Sequence, residues 1–512
     1  MVKQNESFLR ENGIFYTPKE LAKALISGGD LIPINKRIKI FDPAFGDGIL
    51  LDTAAEHYRS RGYNVGKYGC DLNPNYSATK KNYTGKKLLE CDFLEYYHQT
   101  TFDLIFMNPP YVRHSLIREE SKMRISTSKY LSSFHSKSDF WVYFLIKSMQ
   151  HLNYGGSIAA ILPWSFLQAD YAVKVRKVLY ENFRQIKLIA FNQPFFQDAS
   201  ERVVFLYLSN FGNECKNIKI AYSNSHKEDY QFQFCKVNDW LRSKILFGSI
   251  QKDFKVIEQD LINIYNFKSL DELCKIKIGV VTGANKFFIK NLGEWDSIRI
   301  NKKHLQPIIT KSTELAVEKE NDLKWILSLN ESNERKHRDY LNTGITKKLH
   351  LRSHCKNRKP WYSINMGSLP DAFFPYRVKE YPYLAYNFLR CTSTNSVHRI
   401  YFKNQISLNQ RYWLIICSLS IFSQLSFSVN CKTYGRALMK LEPGGLKNCI
   451  LSPLPQKGIK KQYDSILKLI LSNEKEKAVK LSTQIVAREF GIPAHRVADC
   501  YEVYQKIKTR SK

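Results

Sequence analysis

The sequence predicts an α/β fold in its first half, a sheet with helices on both faces, followed by a mixed α+β region. Between about Ile38 and Leu208, short apolar runs alternate with segments of helical spacing, the signature of parallel strands linked by crossover helices. Turns carrying glycine, aspartate or asparagine follow the apolar runs directly, where open α/β sheets bind their ligands. After about residue 240 the alternation gives way to aromatic and basic segments with scattered short strands, and helical spacing returns near Gln462. Three regions are therefore expected: 1–240, 241–460, and a small helical module at 461–512.

Phe15-Tyr16-Thr17-Pro18-Lys19-Glu20 opens the first predicted helix, which runs to about Ser27, with Thr17 as N-cap, Pro18 at N1 and Glu20 at N3 in a capping box. The first strand, Arg37–Phe41, leads into Asp42-Pro43-Ala44-Phe45-Gly46-Asp47-Gly48 and then a helix over Ile49–Arg61. Gly46 and Gly48 let the backbone turn sharply beside the helix amides, although such a turn also occurs without a ligand. The second strand, Gly66–Gly69, is followed by Asp71, which fits either a solvated turn or a carboxylate for two ribose hydroxyls. Asp92, in Cys91-Asp92-Phe93-Leu94, fits either an N-cap or an acceptor for an adenine amine, with Phe93 placed to stack on the ring.

The strand Phe102–Met107 delivers Asn108-Pro109-Pro110-Tyr111. An amide oxygen and the Pro109 carbonyl can together accept both hydrogens of an exocyclic amine, and the Tyr111 ring can stack on the base that carries it. The segment from Arg113 to Ser138 is rich in Ser, Lys and Arg, which predicts a mobile loop that orders around nucleic acid, or a plain surface loop. Helices over Asp139–Leu152 and Val173–Phe183, and strands Ser157–Leu162, Lys187–Phe191 and Arg202–Leu208, complete the predicted parallel sheet.

Lys plus Arg number 78 against 47 Asp plus Glu, and a net charge of +31 points to a polyanion, with nucleic acid first among them. No apolar run of membrane-spanning length and no signal peptide is evident, so a soluble, intracellular chain is expected. The eleven cysteines form no CxxC pair and no cluster with histidine at metal-ligand spacing, so neither a disulfide framework nor a metal site is expected.

Taken in order, Phe15-Tyr16-Thr17-Pro18, the turn at 42–48, Asp71, Asp92 and Asn108-Pro109-Pro110-Tyr111 resemble the motif series of S-adenosylmethionine-dependent DNA adenine-N6 methyltransferases. Having cofactor motifs first, the catalytic motif next and a long C-terminal region last is similar to the gamma class, typified by modification enzymes of restriction systems. The resemblance extends through Gly155–Pro163 and Phe195-Phe196-Gln197-Asp198-Ala199, and implies a Rossmann-like methyltransferase sheet followed by a target-recognition domain.

It further implies that Asp42, Ala44, Gly46 and Gly48 hold the methionine part of S-adenosylmethionine, Asp71 the ribose, and Asp92 with Phe93 the adenine, while Thr17 covers the methionine end. Asn108 and Pro109 would bind the target amine, Tyr111 would stack on the flipped base, and Phe196, with Phe195 as rival, would support its other face. The stretch Ile278–Phe288 resembles the start of gamma-class target-recognition regions. Beyond it, Arg352, Arg358 and Lys359, near Trp361 and Tyr362, fit phosphate contacts, and Asn395, His398 and Arg399 fit contacts to backbone or base edges; solvated basic faces have the same composition.

Duplex DNA is the expected partner, and a cognate endonuclease, if present, a separate protein. Cytosine-C5 chemistry is set aside because no Pro-Cys pair supplies a nucleophile, and cytosine-N4 enzymes typically carry serine where this chain has Asn108. RNA or protein amine methylation, and an inactive DNA-binding relative, are the competing expectations.

Overall fold

The computed structural model describes residues 16–72, 87–97, 100–134, 137–194, 202–223, 225–226, 230–242, 245, 249–316, 319, 322–329, 335–434, 438–455 and 459–511. The chain divides into two compact units, Met1–Ser249 and Ile250–Lys512.

The first unit is built on β1 (Arg37–Asp42), β2 (Asn64–Asp71), β3 (Leu88–Glu90), β4 (Phe102–Met107), β5 (Leu152–Pro163), β6 (Phe183–Pro194), β7 (Arg202–Phe211), β8 (Asn217–Ser223) and β9 (Gln233–Phe234), in the sheet order β3-β2-β1-β4-β5-β7-β6-β8-β9. Strands β2, β1, β4 and β5 are parallel, as predicted, and the short β3 adds a further parallel strand beside β2. β7 is not: it runs antiparallel between β5 and β6. Its reversal has a simple cause, since a parallel return needs a crossover of a dozen or more residues and only positions 195–201 join β6 to β7. β6 itself remains parallel in sense to β1, β4 and β5, so all four end on one edge of the sheet.

Helices α1 (Lys19–Gly28) and α2 (Ile49–Ser60) cover one face, and α3 (Glu119–Thr127), α4 (Phe140–Ser148) and α5 (Asp170–Asn182) the other. The alternation along β4 explains its unbroken apolar run: Leu104 and Phe106 pack with α1 and α2, whereas Ile105 and Met107 pack with α4 and α5. The segment expected as a mobile loop is instead a packed strap, because Ile117, Ile125, Leu131 and Phe134 bury their side chains in the second of these cores. Its many Ser, Lys and Arg residues obscured those four anchors.

The second unit contains two four-stranded sheets, whose longest strands are 397–402 and 305–309, and a three-stranded sheet formed by 377–378, 438–440 and 432–434. α6 (Ser249–Asn263) begins it, and α7 (Leu408–Leu419) and α8 (Ile421–Asn430) form its buried helical centre. α7 opens with a capping box in which Ser407 Oγ accepts from Gln410 N at 3.3 Å and Gln410 Oε1 accepts from Ser407 N at 2.8 Å. The helices expected as an end module, α9 (Lys460–Leu471), α10 (Lys475–Glu489) and α11 (Ala494–Ser511), lie in this unit and pack on α7 and α8. Among the described residues no single helix is long and apolar enough to cross a membrane. α7 and α8 together pass that test by composition, but they meet at 63° and are buried in the unit's core.

Candidate active site

β1 and β4 are neighbours in the sheet, with Ile40 beside Leu104 and Phe41 beside Ile105. The chain after β1 turns away through β2 and β3, while β4 lies on β1's other side. The ends of β1 and β4 thus flank the topological switch point, the crevice where open α/β sheets bind ligands.

At the end of β1, Asp42 is 1% exposed, and its Oδ1 accepts from Ala44 N at 3.0 Å. Burial pushes its carboxyl well above the usual carboxylate range, with the nearby Asp71 and Asp47 charges adding to the effect. Gly46 takes φ +56° and Gly48 φ +81°, conformations that favour glycine. Gly46 N donates to Asp71 Oδ2 at 2.9 Å, so the end of β2 fastens the turn after β1. Space for a side chain at Gly46 is closed by the Tyr16 ring, which would stand 3.2 Å from it.

At the end of β4, Asn108 is held from both sides. Its Nδ2 donates to Thr17 Oγ1 at 3.1 Å, and its Oδ1 accepts from Tyr111 Oη at 2.9 Å. Tyr111 Oη also lies 3.1 Å from Ile161 O on β5. That hydroxyl has one proton for two acceptors, so it can turn from the asparagine oxygen to Ile161. Pro109 is buried, and the Tyr111 ring is half-buried against both cores.

Thr17 thus departs from the expected capping box. α1 begins at Lys19 after Pro18 without a side-chain cap, and the Thr17 hydroxyl, in a side chain only 6% exposed, serves Asn108 instead. Thr17→Val, which keeps the shape and removes the hydroxyl, is therefore expected to lower turnover about tenfold while leaving the melting temperature nearly unchanged. A loss of stability without loss of turnover would return Thr17 to a capping role.

Asp92 makes a cap-type bond of the kind the sequence allowed, and Phe93 differs from expectation. Asp92 Oδ1 accepts from Leu94 N at 2.8 Å, and Oδ2 pairs with Arg124 of α3, whose other terminal nitrogen pairs with Glu95. Phe93 is 2% exposed and packs on Phe41, Tyr96, Phe144 and His151 in the core. A ring enclosed in this way presents no face to a ligand. Phe93→Ala is expected to destabilise the unit by about 3–5 kcal/mol, read by denaturant titration, with cofactor affinity of the folded fraction kept. Lost affinity at unchanged stability would restore the stacking role.

Phe196 and its rival Phe195 lie outside the described residues, as does Phe15. β6 and β7 pair Pro194 with Arg202, and β6 ends on the same edge of the sheet as β1 and β4.

Residues 49–196 match the family model described as Eco57I restriction-modification methylase, and residues 249–487 match that of the Type II methyltransferase M.Eco57I C-terminal domain. The chain belongs to the restriction-modification DNA methyltransferases. It is similar to the Type II methyltransferase M.AccI of Acinetobacter calcoaceticus, at 23% identity over 86% of this chain and 85% of that one. It is also similar to M.HindII of Haemophilus influenzae, at 27% identity over 54% of this chain and 55%, about half, of the relative. The fold is shared with the Type IIL restriction-modification enzyme MmeI, solved in complex with DNA, at a TM-score of 0.55 and 15% identity over 96% of this chain and 75% of that one. The cofactor of the methyltransferase is S-adenosylmethionine.

In the second unit, the candidates for DNA contact converge on one loop of the methyltransferase. Arg352 Nη1 donates to Gly283 O at 3.2 Å, Arg358 Nη2 to Val281 O, and Arg399 Nη2 to Ile278 O at 3.3 Å; Asn395 N donates to Val280 O at 3.0 Å. Lys359 is exposed beside Arg358. The arginines therefore brace backbone as well as carrying charge. His398 cannot address a base edge, being fully buried with Nε2 on Leu441 O at 2.6 Å, and Tyr362 lies in the core.

Sequence reasoning missed the Thr17–Asn108 bond, the Arg124–Asp92 pair and Leu72. That leucine follows Asp71 at the strand end and is 49% exposed. An apolar residue directly after a motif aspartate is a signal that would have found it.

Proposed function

We propose that the enzyme transfers a methyl group to the N6 amine of an adenine swung out of duplex DNA, as the modification member of a restriction system whose endonuclease is a separate protein acting on the same DNA in the cytoplasm. The observation that carries this reading is the adjacency of β1 and β4: the buried carboxylate and glycine turn at one strand end stand beside an asparagine amide at the other.

The residues present fit the cofactor. Asp42, buried and with raised proton affinity, lies where a cation would relieve its desolvation. Asp71 presents a carboxylate at the end of β2, a group suited to ribose hydroxyls, and Leu72 offers an apolar face beside it for the adenine. Asp92 holds the strap through Arg124 and has lone pairs left for the adenine amine. S-adenosylmethionine supplies an activated methyl on a sulfonium.

The protein's own contribution is positioning. Asn108 Oδ1 and Pro109 O accept the two hydrogens of the amine, favouring a more tetrahedral nitrogen with its lone pair directed at the donor. The proton released from that nitrogen passes first to these acceptors or to water. Thr17 fixes the amide rotation so that the oxygen, and not the nitrogen, faces the substrate. Tyr111 stacks on the extruded base, offsetting part of the few kcal/mol needed to unstack it. Asparagine at position 108, rather than serine, favours adenine over the cytosine-N4 amine.

The test is to sequence DNA from methylation-deficient cells expressing the enzyme. Modified adenine confined to one short site supports the reading, and modified cytosine or unmodified DNA contradicts it.

A further inference from the structure

Three segments meet at residues 278–283 of the second unit: 274–290, 347–360 and 391–403. Together they carry twelve Lys and Arg and not one Asp or Glu. In a chain with 47 acidic residues, that local exclusion marks a surface built for a polyanion.

The loop brings Ile278 and Val281 to the surface while Gly279, Val280 and Thr282 are buried, and protein groups hold it along its length. The carbonyl of Ile278 accepts from Arg399, that of Val280 from Asn395 N, that of Val281 from Arg358, that of Thr282 from Cys355 Sγ at 3.6 Å, and that of Gly283 from Arg352. Val280 N donates to Ser393 O at 2.7 Å. Gly279 lies against the neighbouring chain so closely that a Cβ there would collide with the Thr394 carbonyl. Surface loops ordinarily leave such carbonyls to water and move. This one is fixed by three guanidinium groups drawn from two distant segments.

What the braced loop presents is apolar. Ile278 is 51% and Val281 37% exposed, while Lys275, Lys277, Lys286, Lys356 and Lys359 around them are exposed cations. Resting on the reading of the enzyme as a methyltransferase of duplex DNA, we propose that residues 278–283 are a rigid contact ridge for the duplex. Ile278 and Val281 pack on apolar base edges, such as thymine methyl groups, and on sugars in a groove, while the surrounding cations hold the phosphates on either side. Charge complementarity selects DNA as the occupant, and rigidity gives the aliphatic pair its function: a preordered contact adds affinity without the entropy of ordering a loop.

The experiment compares the full-length enzyme with Ile278→Ser/Val281→Ser, measuring affinity for cognate duplex over a range of salt concentrations. The double variant is expected to bind about tenfold more weakly with an unchanged slope of log affinity against log salt, because no phosphate contact is removed. Melting temperature and S-adenosylmethionine affinity should match wild type, and Ile278→Leu/Val281→Ile should bind like wild type. Equal DNA affinity in the serine variant overturns the ridge, and so does a weaker variant with a reduced salt slope, which would mean that the loop supports the cations and makes no contact of its own. Failure of the wild-type protein to bind any duplex would instead sink the methyltransferase reading on which the ridge depends.

Discussion

Asn108→Ala is expected to reduce methyl transfer to duplex DNA by roughly a thousandfold or more, the scale seen when a preorganised polar group at a reacting atom is removed. The variant deletes the proposed acceptor for the substrate amine, and with it the partner of both Thr17 and Tyr111. The fold should persist, because Tyr111 retains Ile161 O and Asn108 sits half-exposed at a strand end. Affinity for S-adenosylmethionine should stay near wild type, since Asp42, the glycine turn and Asp71 are untouched. Single-turnover transfer and calorimetric cofactor binding separate the two effects. Transfer at the wild-type rate would remove Asn108 from the reaction, and lost cofactor binding would make it part of the donor site.

Asp71→Ala should act on the opposite member of the pair, weakening cofactor binding at least about a hundredfold through two charge-assisted hydrogen bonds of about 1.5–3 kcal/mol each. One is seen directly, the anchor from Gly46 N that holds the turn after β1. The other is the proposed bond to the ribose. Asp71→Asn keeps an acceptor for Gly46 and loses the charge, so it should recover part of the affinity if the turn's position is what matters. Calorimetry with S-adenosylmethionine reads both variants. An unchanged affinity in Asp71→Ala would place the ribose elsewhere.

The strand that carries Asn108 was legible because its composition and its burial coincide: Phe102–Met107 is apolar at every position but one, and Asn108-Pro109-Pro110-Tyr111 interrupts it abruptly. The turn at 42–48 was legible for the same reason. Short-range spacing could not show which partner would claim a side chain with two possible uses. Thr17 fits a cap locally, yet the tertiary fold brings it to Asn108, 91 positions away. Phe93 fits a stacking ring locally, yet its place two residues past Cys91 turns it into the core beside Phe41. Arg352, Arg358 and Arg399 read as free cations because nothing in their neighbourhoods names the carbonyls of residues 278–283, to which they reach from up to 121 positions away. The start of α7, by contrast, was written plainly in Ser407 and Gln410 and was overlooked amid aromatic and basic residues.

The account depends on one edge of one sheet serving both donor and acceptor. The most direct test incubates the enzyme with duplex DNA and S-adenosylmethionine labelled in its methyl group, digests the DNA to nucleosides and separates them. Label in N6-methyl-2′-deoxyadenosine alone, absent in the Asn108→Ala variant, is the predicted result. Label in N4-methyl-2′-deoxycytidine, or transfer that survives in Asn108→Ala, would contradict it.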